Sequence, residues 1–363
     1  MSGELSIEPL RVPTAPGADG WEAFCDFIAV RNACEQAAYG TADLNYRPDE
    51  MLPLWRDDAF DPKHGLIARL DGEVVGRAIL ETQADPDSRH AWLEVQVMPA
   101  ARGRGVGSAL SDAIEALAEA DARSTFIVYA VSPDAPGPRL DAPTGFGSVP
   151  RDNPEVAFLL RRGYRLEQVN RGSRLALPPS AEAVDRLERD ALAHAGDDYR
   201  TVTWTGRTPA DRLADLAHLL TRMSTDAPTA GLEEPEDVWS VERVAAEDDS
   251  RASADLVPVT AAVEHVGSGR LVAFSTVFVP AEPTRAITQD DTLVLREHRG
   301  HRLGTLVKLA NLRAVEEAFP GHPSIITFNA EENRPMLDVN EAMGFVPIGC
   351  EGAWRRDAQP VSR

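Results

Sequence analysis

The stretch Trp92-Leu-Glu-Val-Gln-Val-Met-Pro-Ala-Ala-Arg-Gly-Arg-Gly-Val-Gly-Ser-Ala-Leu110 decides the fold of this chain. Its first residues are those of a strand, its middle is an Arg/Gly loop, and its last residues favour a helix. A strand that runs through glycines into a helix is typical of a site that holds a phosphate group, because free N–H groups converge at the start of the helix.

A second copy of this stretch follows as Thr292-Leu-Val-Leu-Arg-Glu-His-Arg-Gly-His-Arg-Leu-Gly-Thr305. The copies stand 197 positions apart, so Arg102 matches Arg299 and Gly107 matches Gly304 without a gap. The hairpin segments before each copy keep the same register. Similarity at a fixed spacing indicates an internal duplication of the whole unit.

The length of 363 residues predicts two domains, each large enough for its own core. The order of strands and helices matches between the halves and predicts an α/β fold for both. We expect an N-terminal domain at 1–178, a connecting helix at 179–198 and a C-terminal domain at 199–363. The sequence leaves a monomeric pseudo-dimer and a homodimer open.

A net charge of −21 disfavours nucleic acid and anionic membrane as partners and suits a cationic substrate. The first residues lack the pattern of a signal peptide, and no apolar run is long enough for a membrane span, so the sequence predicts a cytoplasmic protein. The three cysteines lack the spacing of a disulfide framework or a zinc site. Among the 37 basic residues, only Lys63 and Lys308 are lysines.

Apolar periodicity predicts helices at 21–39, 106–122 and 303–319. The Asp-Gly pair at 71–72 predicts a tight hairpin turn. The segment 133–154 holds six prolines and three glycines, too many for a helix or a paired strand, and it predicts a loop.

The glycines of the first loop let several backbone N–H groups approach a diphosphate, and the helix that follows presents its positive dipole end. Each loop is also a basic island in an acidic chain. A tight strand-to-helix turn with surface arginines is the alternative, which the second copy in register disfavours. The loop is not a kinase-type P-loop, which needs Gly-Lys-Ser/Thr, and Ser108 stands where the dinucleotide pattern needs its last Gly.

These residues resemble the GNAT family of N-acetyltransferases, whose acyl-CoA motif is Arg/Gln-x-x-Gly-x-Gly/Ala behind a strand of the form Val-x-Val. Arg102, Gly105 and Gly107 behind Val95-Gln96-Val97 match this motif, and Arg299 and Gly304 match in the second copy, where Arg302 occupies the middle Gly position. The element order covers nearly the whole chain twice and resembles a tandem acetyltransferase of the mycothiol-synthase type. The resemblance implies two GNAT-like domains, each a mixed, mostly antiparallel sheet flanked by helices.

The resemblance also implies acetyl-CoA, or another acyl-CoA, as co-substrate. Strand backbones would pair with the pantetheine arm like an added strand, and the loops would hold the diphosphate. The implied binding residues of the first copy are Val95, Gln96, Val97, Gly103, Arg104, Val106 and Ser108 together with the motif residues Arg102, Gly105 and Gly107. Those of the second copy are Thr292, Leu293, Val294, Gly300, His301, Leu303 and Thr305 together with Arg299, Arg302 and Gly304.

The family's reaction needs a base for the incoming ammonium and a proton donor for the CoA thiolate. Glu94 and Asp291 lie in register before the two loops and are the candidate bases, although ordinary strand-face carboxylates remain the alternative. The family often has a Tyr donor four residues before the Gly that ends the last helix. Leu159 and Asn340 occupy those places, so the C-terminal half, in which an amide could hydrogen-bond the sulfur, is the predicted catalytic half.

Asn329 and Asn333 resemble the Asn that the family places before its last helix, and the resemblance assigns both to the cofactor site. A helix cap is the other interpretation of Asn333 and the one that its position favours. His298 and His301 flank Arg299. Since they lack a Cys or carboxylate companion at ligand spacing, the sequence favours a surface or phosphate contact over a metal site.

The sequence therefore predicts an N-acyltransferase that passes an acetyl or other short acyl group directly to a small-molecule primary amine. The loops contain no cysteine, which disfavours a covalent acyl-enzyme. The alternative is a CoA-binding regulatory or scaffolding protein without catalysis, because both halves lack the Tyr. The walls of the acceptor site are expected from the variable segments 51–61, 133–154 and 224–237.

Overall fold

The computed structural model describes residues 4–57 and 59–358, and the chain divides into two compact units. The described part of the first unit comprises residues 4–57, 59–170, Thr229–Glu233 and 349–358. The second unit comprises Arg171–Pro228 and Glu234–Ile348. None of the helices in these described ranges is long and apolar enough to cross a membrane.

Strands and helices alternate from the first described residues up to the middle of the chain. They are β1 (Leu5–Pro9), α1 (Trp21–Tyr39), α2 (Pro48–Arg56), β2 (Lys63–Leu70), β3 (Glu73–Glu81), β4 (His90–Val97), α3 (Val106–Ala120), β5 (Thr125–Val131), β6 (Arg139–Asp141), β7 (Ser148–Pro150), α4 (Pro154–Arg161), β8 (Arg165–Ala176) and α5 (Ala181–Ala195).

The same alternation then repeats. The elements are β9 (Tyr199–Thr205), α6 (Leu213–Asp226), α7 (Val241–Ser253), β10 (Leu256–His265), β11 (Arg270–Pro280), β12 (Ile287–Val294), α8 (Leu303–Ala318), β13 (Ser324–Ala330), α9 (Arg334–Met343) and β14 (Val346–Asp357).

The sheet of the first unit has the neighbour order β1-β2-β3-β4-β5, followed by β14 and β8. The β4–β5 pair is parallel. β5 pairs antiparallel with the far end of the sequence, from Glu351↔Val131 to Asp357↔Thr125. The first unit therefore receives a central strand from the last residues of the chain, and the predicted mixed, mostly antiparallel sheet is confirmed.

The sheet of the second unit has the neighbour order β9-β10-β11-β12-β13, followed by β8 and β14. β12 and β13 are parallel, whereas β9, β10, β11 and β12 pair antiparallel. Gly172 packs against Phe328 of β13, where an added Cβ would lie 2.9 Å from the ring. Residues 171–176 of β8 thus lie beside β13, in the unit that follows them in sequence.

The compact units differ from the domain ranges that the sequence predicts, because residues 349–358 and Thr229–Glu233 lie in the first unit. The physical reason is burial: Trp354 is 1% exposed in the first unit's core, and Leu232 is fully buried against Ile127 and Ala353.

Helices cover both faces of each sheet. In the first unit, α3 buries Leu110 and Ile114 against one face, and α1 buries Phe24 and Phe27, with Trp55 of α2, against the other. In the second unit, α8 covers one face and α6 the other. The predicted α1 agrees with the structure at both ends.

The segment predicted as a loop at 133–154 contains the hairpin β6–β7, so this prediction was wrong. Pro150 is at the end of its strand, where a missing N–H costs least. Gly145 and Gly147 supply positive φ values in the turn, and Val149 is fully buried in the first unit's core.

Candidate functional site

The two Arg/Gly loops have the same backbone conformation. Gly103 and Gly300 have φ values of 74° and 91°, and Gly105 and Arg302 have φ values of 86° and 57°. Helices α3 and α8 begin at the next residue in each case. Arg302 therefore keeps the left-handed geometry of the glycine it replaces, which costs an L-residue about 1–2 kcal/mol.

The first arginine of each loop makes the same hydrogen bond. Arg102 Nε donates to Val97 O at 3.1 Å, and Arg299 Nε donates to Val294 O at 3.1 Å. Each guanidinium is thereby held against the end of the strand that precedes its loop. The repeat in the sequence is thus a repeat in side-chain geometry as well.

The space before both loops fits a diphosphate. A Cβ added at Gly103, Gly105 or Gly300 would meet nothing within 4 Å, so each turn is open. The first N–H groups of a helix lack partners inside the helix and form its positive dipole end, which in α3 and α8 begins at this opening. In α8, Thr305 N is the exception, since it donates to Arg302 O at 3.1 Å. Gly107 and Gly304 lie in that first turn, where an added Cβ would pack 3.7 Å from a valine methyl group.

The parallel strands separate before each loop. The β4–β5 register runs from His90↔Thr125 to Leu93↔Val128 and ends there. The β12–β13 register comprises two pairs, of which Thr288↔Ile326 is the last. Residues 94–97 and 289–294 therefore leave an open backbone edge toward β5 and β13. An extended chain with amide groups, such as pantetheine, could pair with this edge as an added strand.

A β-bulge distinguishes β12 from β4. The β11–β12 register shifts between Ser275 and Val277, so that Asp290 and Asp291 together oppose Thr276. The β3–β4 register is unbroken from Gly76↔Val97 to Glu81↔Trp92. A bulge re-aims side chains beside the open edge, and the predicted equivalence of Glu94 and Asp291 therefore holds in sequence but not in local geometry.

The bulge places two carboxyl groups next to each other. Asp291 is half-buried, and burial together with the charge of Asp290 and of Asp237 raises the pKa of Asp291 to about 8. Asp290 itself is exposed. A carboxyl group with a pKa near neutrality can accept a proton from an incoming ammonium and hold it.

Glu94, the other predicted base, is in an ion pair. Its Oε1 accepts from Arg77 Nη2 at 2.8 Å, and the Arg77 side chain is buried over the Phe27 ring. Arg77 Nε also donates to Gln96 Oε1 at 2.8 Å. Arg77 thus holds the side chains of Glu94 and Gln96 on β4 against β3 and compensates the charge of Glu94.

Two further acids of the first unit lie near Glu94. Gln96 Nε2 donates to Glu35 Oε1 at 2.8 Å, and burial raises the pKa of Glu35. Asn170 Nδ2 donates to Glu351 Oε1 at 3.3 Å, and burial raises the pKa of Glu351 to about 7. Sequence reasoning missed Glu351, since it lies at the other end of the chain and only the exchange of β14 brings it here.

The amide groups of the second unit form a pair at the separated strands. Asn340 is 1% exposed, and its Nδ2 donates to Asn329 Oδ1 at 2.7 Å on β13. Asn333 is at the N-cap of α9, but its side chain makes no capping hydrogen bond, so capping is not its role. Leu159, the counterpart of Asn340, is buried in the apolar core of the first unit.

The arginines of the second loop are already paired with acids. Arg296 and Arg299 each lie 3.3 Å from the buried carboxylate of Asp226 at the end of α6. Arg302 forms an ion pair with Asp190 of α5. The predicted basic island is therefore compensated within the second unit. In the first loop, Arg104 lies 3.9 Å from Asp71. In the part of the chain that the structure describes, Arg102 makes no ion pair, so the first loop keeps the charge of this arginine.

The histidines of the second loop join an aromatic cluster. Tyr199 Oη lies 3.0 Å from His298 Nδ1, and the rings of His265 and His301 lie within 6 Å of Tyr199. Burial and the neighbouring His265 lower the pKa of His298. Within residues 4–57 and 59–358, no cluster of His, Cys, Asp or Glu side chains is arranged to hold a metal ion.

Residues 19–136 match the model of the acetyltransferase (GNAT) family. A comparison with curated proteins returned no match.

Solved structures match over nearly the whole chain. A tandem GNAT protein from the clavulanic acid biosynthesis pathway, solved without AcCoA, has a TM-score of 0.74 and 25% identity, covering 99% of this chain and 100% of that one. A GCN5-related N-acetyltransferase from Sphaerobacter thermophilus has a TM-score of 0.62 and 15% identity, covering 98% and 96%. The glucosamine N-acetyltransferase region of a fungal multi-domain GH3 β-N-acetylglucosaminidase gives 0.61 and 15%, covering 98% and 38%. The last two show the fold alone.

Proposed function

From the tandem GNAT fold of this chain, whose residues 19–136 match the GNAT acetyltransferase family, we propose that the protein transfers an acetyl or other short acyl group from acyl-CoA to a primary amine. We assign the transfer to the second unit. The observation that carries this assignment is the β12 bulge, which places Asp290 and Asp291 at an open strand edge beside the loop.

The acyl-CoA would lie along the open edges of the separated strands. In the second unit, residues 292–294 would pair with the pantetheine amides, and the N–H groups of Leu303 and Gly304 would hold the diphosphate. Residues 95–97 and 106–108 would do the same in the first unit. When bound, acyl-CoA supplies the acyl group as an activated thioester.

Asp291 would act as the base. A primary amine arrives as an ammonium ion, and the adjacent carboxyl groups of Asp290 and Asp291 attract it into the cleft. Asp291, with its pKa near 8, accepts the proton at Oδ and leaves the amine neutral for attack. The acidic bulge and the net charge of −21 both favour an amine over an anionic acceptor.

The Asn329–Asn340 pair would position the thioester end in the second unit. Asn340 is buried behind Asn329, and its amide fixes the orientation of the Asn329 side chain at the strand separation. Asn329 is half-buried and keeps an N–H group for the sulfur or the acyl carbonyl. This arrangement takes the place of the missing Tyr.

The first unit would hold acyl-CoA without transferring the acyl group. Its loop keeps an uncompensated Arg102, which favours binding, whereas Glu94 is paired with Arg77 and Leu159 offers no proton. The proposal therefore retains the CoA-binding function without catalysis for this unit alone.

The test is free-thiol release from acetyl-CoA with a panel of primary amines. We expect Asp291→Asn to lower kcat/KM by at least about 100-fold, because general-base catalysis contributes 10²–10⁴. The matched variant Glu94→Gln is expected to stay within about threefold of the unmodified protein. Loss of activity in Glu94→Gln alone would move catalysis to the first unit. Thermal stabilisation by CoA without turnover of any amine would contradict the enzyme proposal altogether.

A further inference from the structure

Lys308 is a buried cation that the proposed mechanism does not use. It lies on α8 and is 2% exposed. Its Nζ is 5.7 Å from the centroid of the Phe345 ring. Among the described residues, Lys308 makes no ion pair, although burial of an ammonium group without a counter-charge is costly. Burial accordingly lowers the pKa of Lys308 to about 7.

The position of Lys308 connects it with the second loop. α8 begins at Leu303, immediately after the loop, and Lys308 lies one turn beyond Thr305 on the same helix face. Because the Cα–Cβ bonds of a helix tilt toward its N-terminus, the Lys308 side chain leaves α8 in the direction of the turn that follows the loop.

Lys308 also lies near the end of α9, the helix that carries Asn340. Its neighbour Phe345 donates a backbone N–H to Asn340 O at 3.0 Å, and Asn340 Nδ2 donates to Asn329 Oδ1 on β13. The Lys308 side chain thus connects α8 with the residues that follow α9.

The internal repeat shows why the second unit needs this cation. The side chains of Arg296, Arg299 and Arg302 are all in ion pairs with Asp226 or Asp190. In the first unit, the residue in register with Lys308 is the uncharged Ser111. The positive charge is thus in the loop in the first unit, and on the following helix in the second unit.

We propose that Lys308 is the counter-charge for the diphosphate of an acyl-CoA bound in the second unit. The inference rests on the proposed function, since it requires acyl-CoA at this loop. Because the buried ammonium has no ion-pair partner among the described residues, an anion at the start of α8 would complete the pair. Proton uptake by Lys308 would accompany binding wherever the lysine is partly neutral beforehand.

The titration of Lys308 can be followed by NMR with little overlap, because Lys63 is the only other lysine in the sequence. In protein labelled with ¹³C-lysine, the Lys308 Cε signal is followed against pH with and without coenzyme A, with Lys63 as the internal control. We expect a midpoint near 7 without ligand and a rise of about one unit or more with coenzyme A, since a charge at about 6 Å and an effective dielectric constant of about 20 acts this strongly. ADP, which carries the diphosphate but no thiol, is expected to raise it too.

A variant pair separates binding from structure. In a Gly107→Glu background, where only the second loop binds, Lys308→Met is expected to weaken coenzyme A binding about tenfold or more, as measured by calorimetry. The same substitution should raise the stability of the ligand-free protein, since it removes a buried unpaired charge at similar volume. Opposite effects on stability and affinity would not follow from a merely structural lysine.

Each outcome decides one proposal. If coenzyme A binds the second loop while the Lys308 midpoint stays unchanged, or if Lys308→Met binds normally, the inference is overturned and the proposed function stands. If coenzyme A raises the titration midpoint of Lys308 and ADP does not, the assignment of Lys308 to the diphosphate is overturned. If coenzyme A fails to bind the second loop of the unmodified protein, the proposed function fails in that unit.

Discussion

Asp290 and Asp291 illustrate how a β-bulge changes the chemistry of a strand. The bulge puts both carboxyl groups opposite Thr276, whereas Glu94 in the unbulged copy is held by Arg77. The sequence predicted both acids as candidates because they share a register. The bulge could not be predicted, because it depends on the pairing of β12 with β11. The ion pair of Glu94 with Arg77 on the neighbouring strand β3 could not be predicted either.

The pH dependence of turnover tests the role of Asp291. Its carboxyl must be ionised to accept a proton, and its pKa is raised to about 8. We expect kcat with a saturating amine to rise about tenfold per pH unit below pH 8 and to level off above it. In Asp291→Asn, the rise of kcat with pH should disappear. If the rise remains in this variant, another residue is the base.

The free energy of unfolding should also depend on the Asp291 carboxyl group, but it should fall as the pH rises. A carboxyl group whose pKa is raised on folding stabilises the folded state below about pH 4, and this contribution is lost as the pH rises to about 8. Asp291→Asn should therefore gain stability relative to the unmodified protein between pH 5 and pH 9, as measured by urea unfolding. Parallel pH curves for the two proteins would show that the carboxyl is not perturbed.

At the scale of elements, the loops were the most predictable feature. Glycines at 103, 105 and 300 lie at positive φ, as a turn into a helix requires, and the helix bounds at 21–39 agree with their apolar pattern. The hairpin β6–β7 was not predictable, because its strands are three residues long and the prolines conceal them. The ion pairs that neutralise the second loop come from α5 and α6 and leave no pattern within the loop itself.

Two alanine substitutions test the loop geometry in the ligand-free protein. Gly105→Ala forces an L-residue to φ 86° and should destabilise by about 1–2 kcal/mol. The matched Gly107→Ala lies in the first turn of α3, where the added Cβ has ordinary contacts, and should stabilise by up to about 1 kcal/mol. If the two variants changed the free energy of unfolding by the same amount in denaturant unfolding, the left-handed turn at Gly105 would be contradicted.

At the scale of the whole molecule, each unit takes its strand beside β5 or β13 from the other half of the sequence. Residues 351–357 pair with β5, and residues 171–176 lie beside β13. The duplication in the sequence predicted two similar folds, which the structure bears out. It could not predict the exchange, because either copy of the closing strand satisfies the same apolar pattern.

Hydrogen exchange of the full chain tests this exchange of strands. Trp354 lies in the C-terminal sequence but in the first unit's core, so Trp354→Ala should destabilise that unit by about 3–5 kcal/mol. Amides at 63–81 should lose protection more than those at 256–280. The control Phe274→Ala, in the second unit's core, should do the reverse. If Trp354→Ala reduced the protection of amides at 256–280 alone, the assignment of β14 to the first unit would be refuted.

The measurement that tests the central claim most directly is acetyl transfer in two matched loop variants. A Glu in the first turn of a helix suits its dipole, so Gly107→Glu and Gly304→Glu should fold while their carboxylates repel the diphosphate. We predict that Gly304→Glu loses amine-dependent thiol release from acetyl-CoA and that Gly107→Glu retains it. Full activity in Gly304→Glu, with loss in Gly107→Glu, would contradict the account.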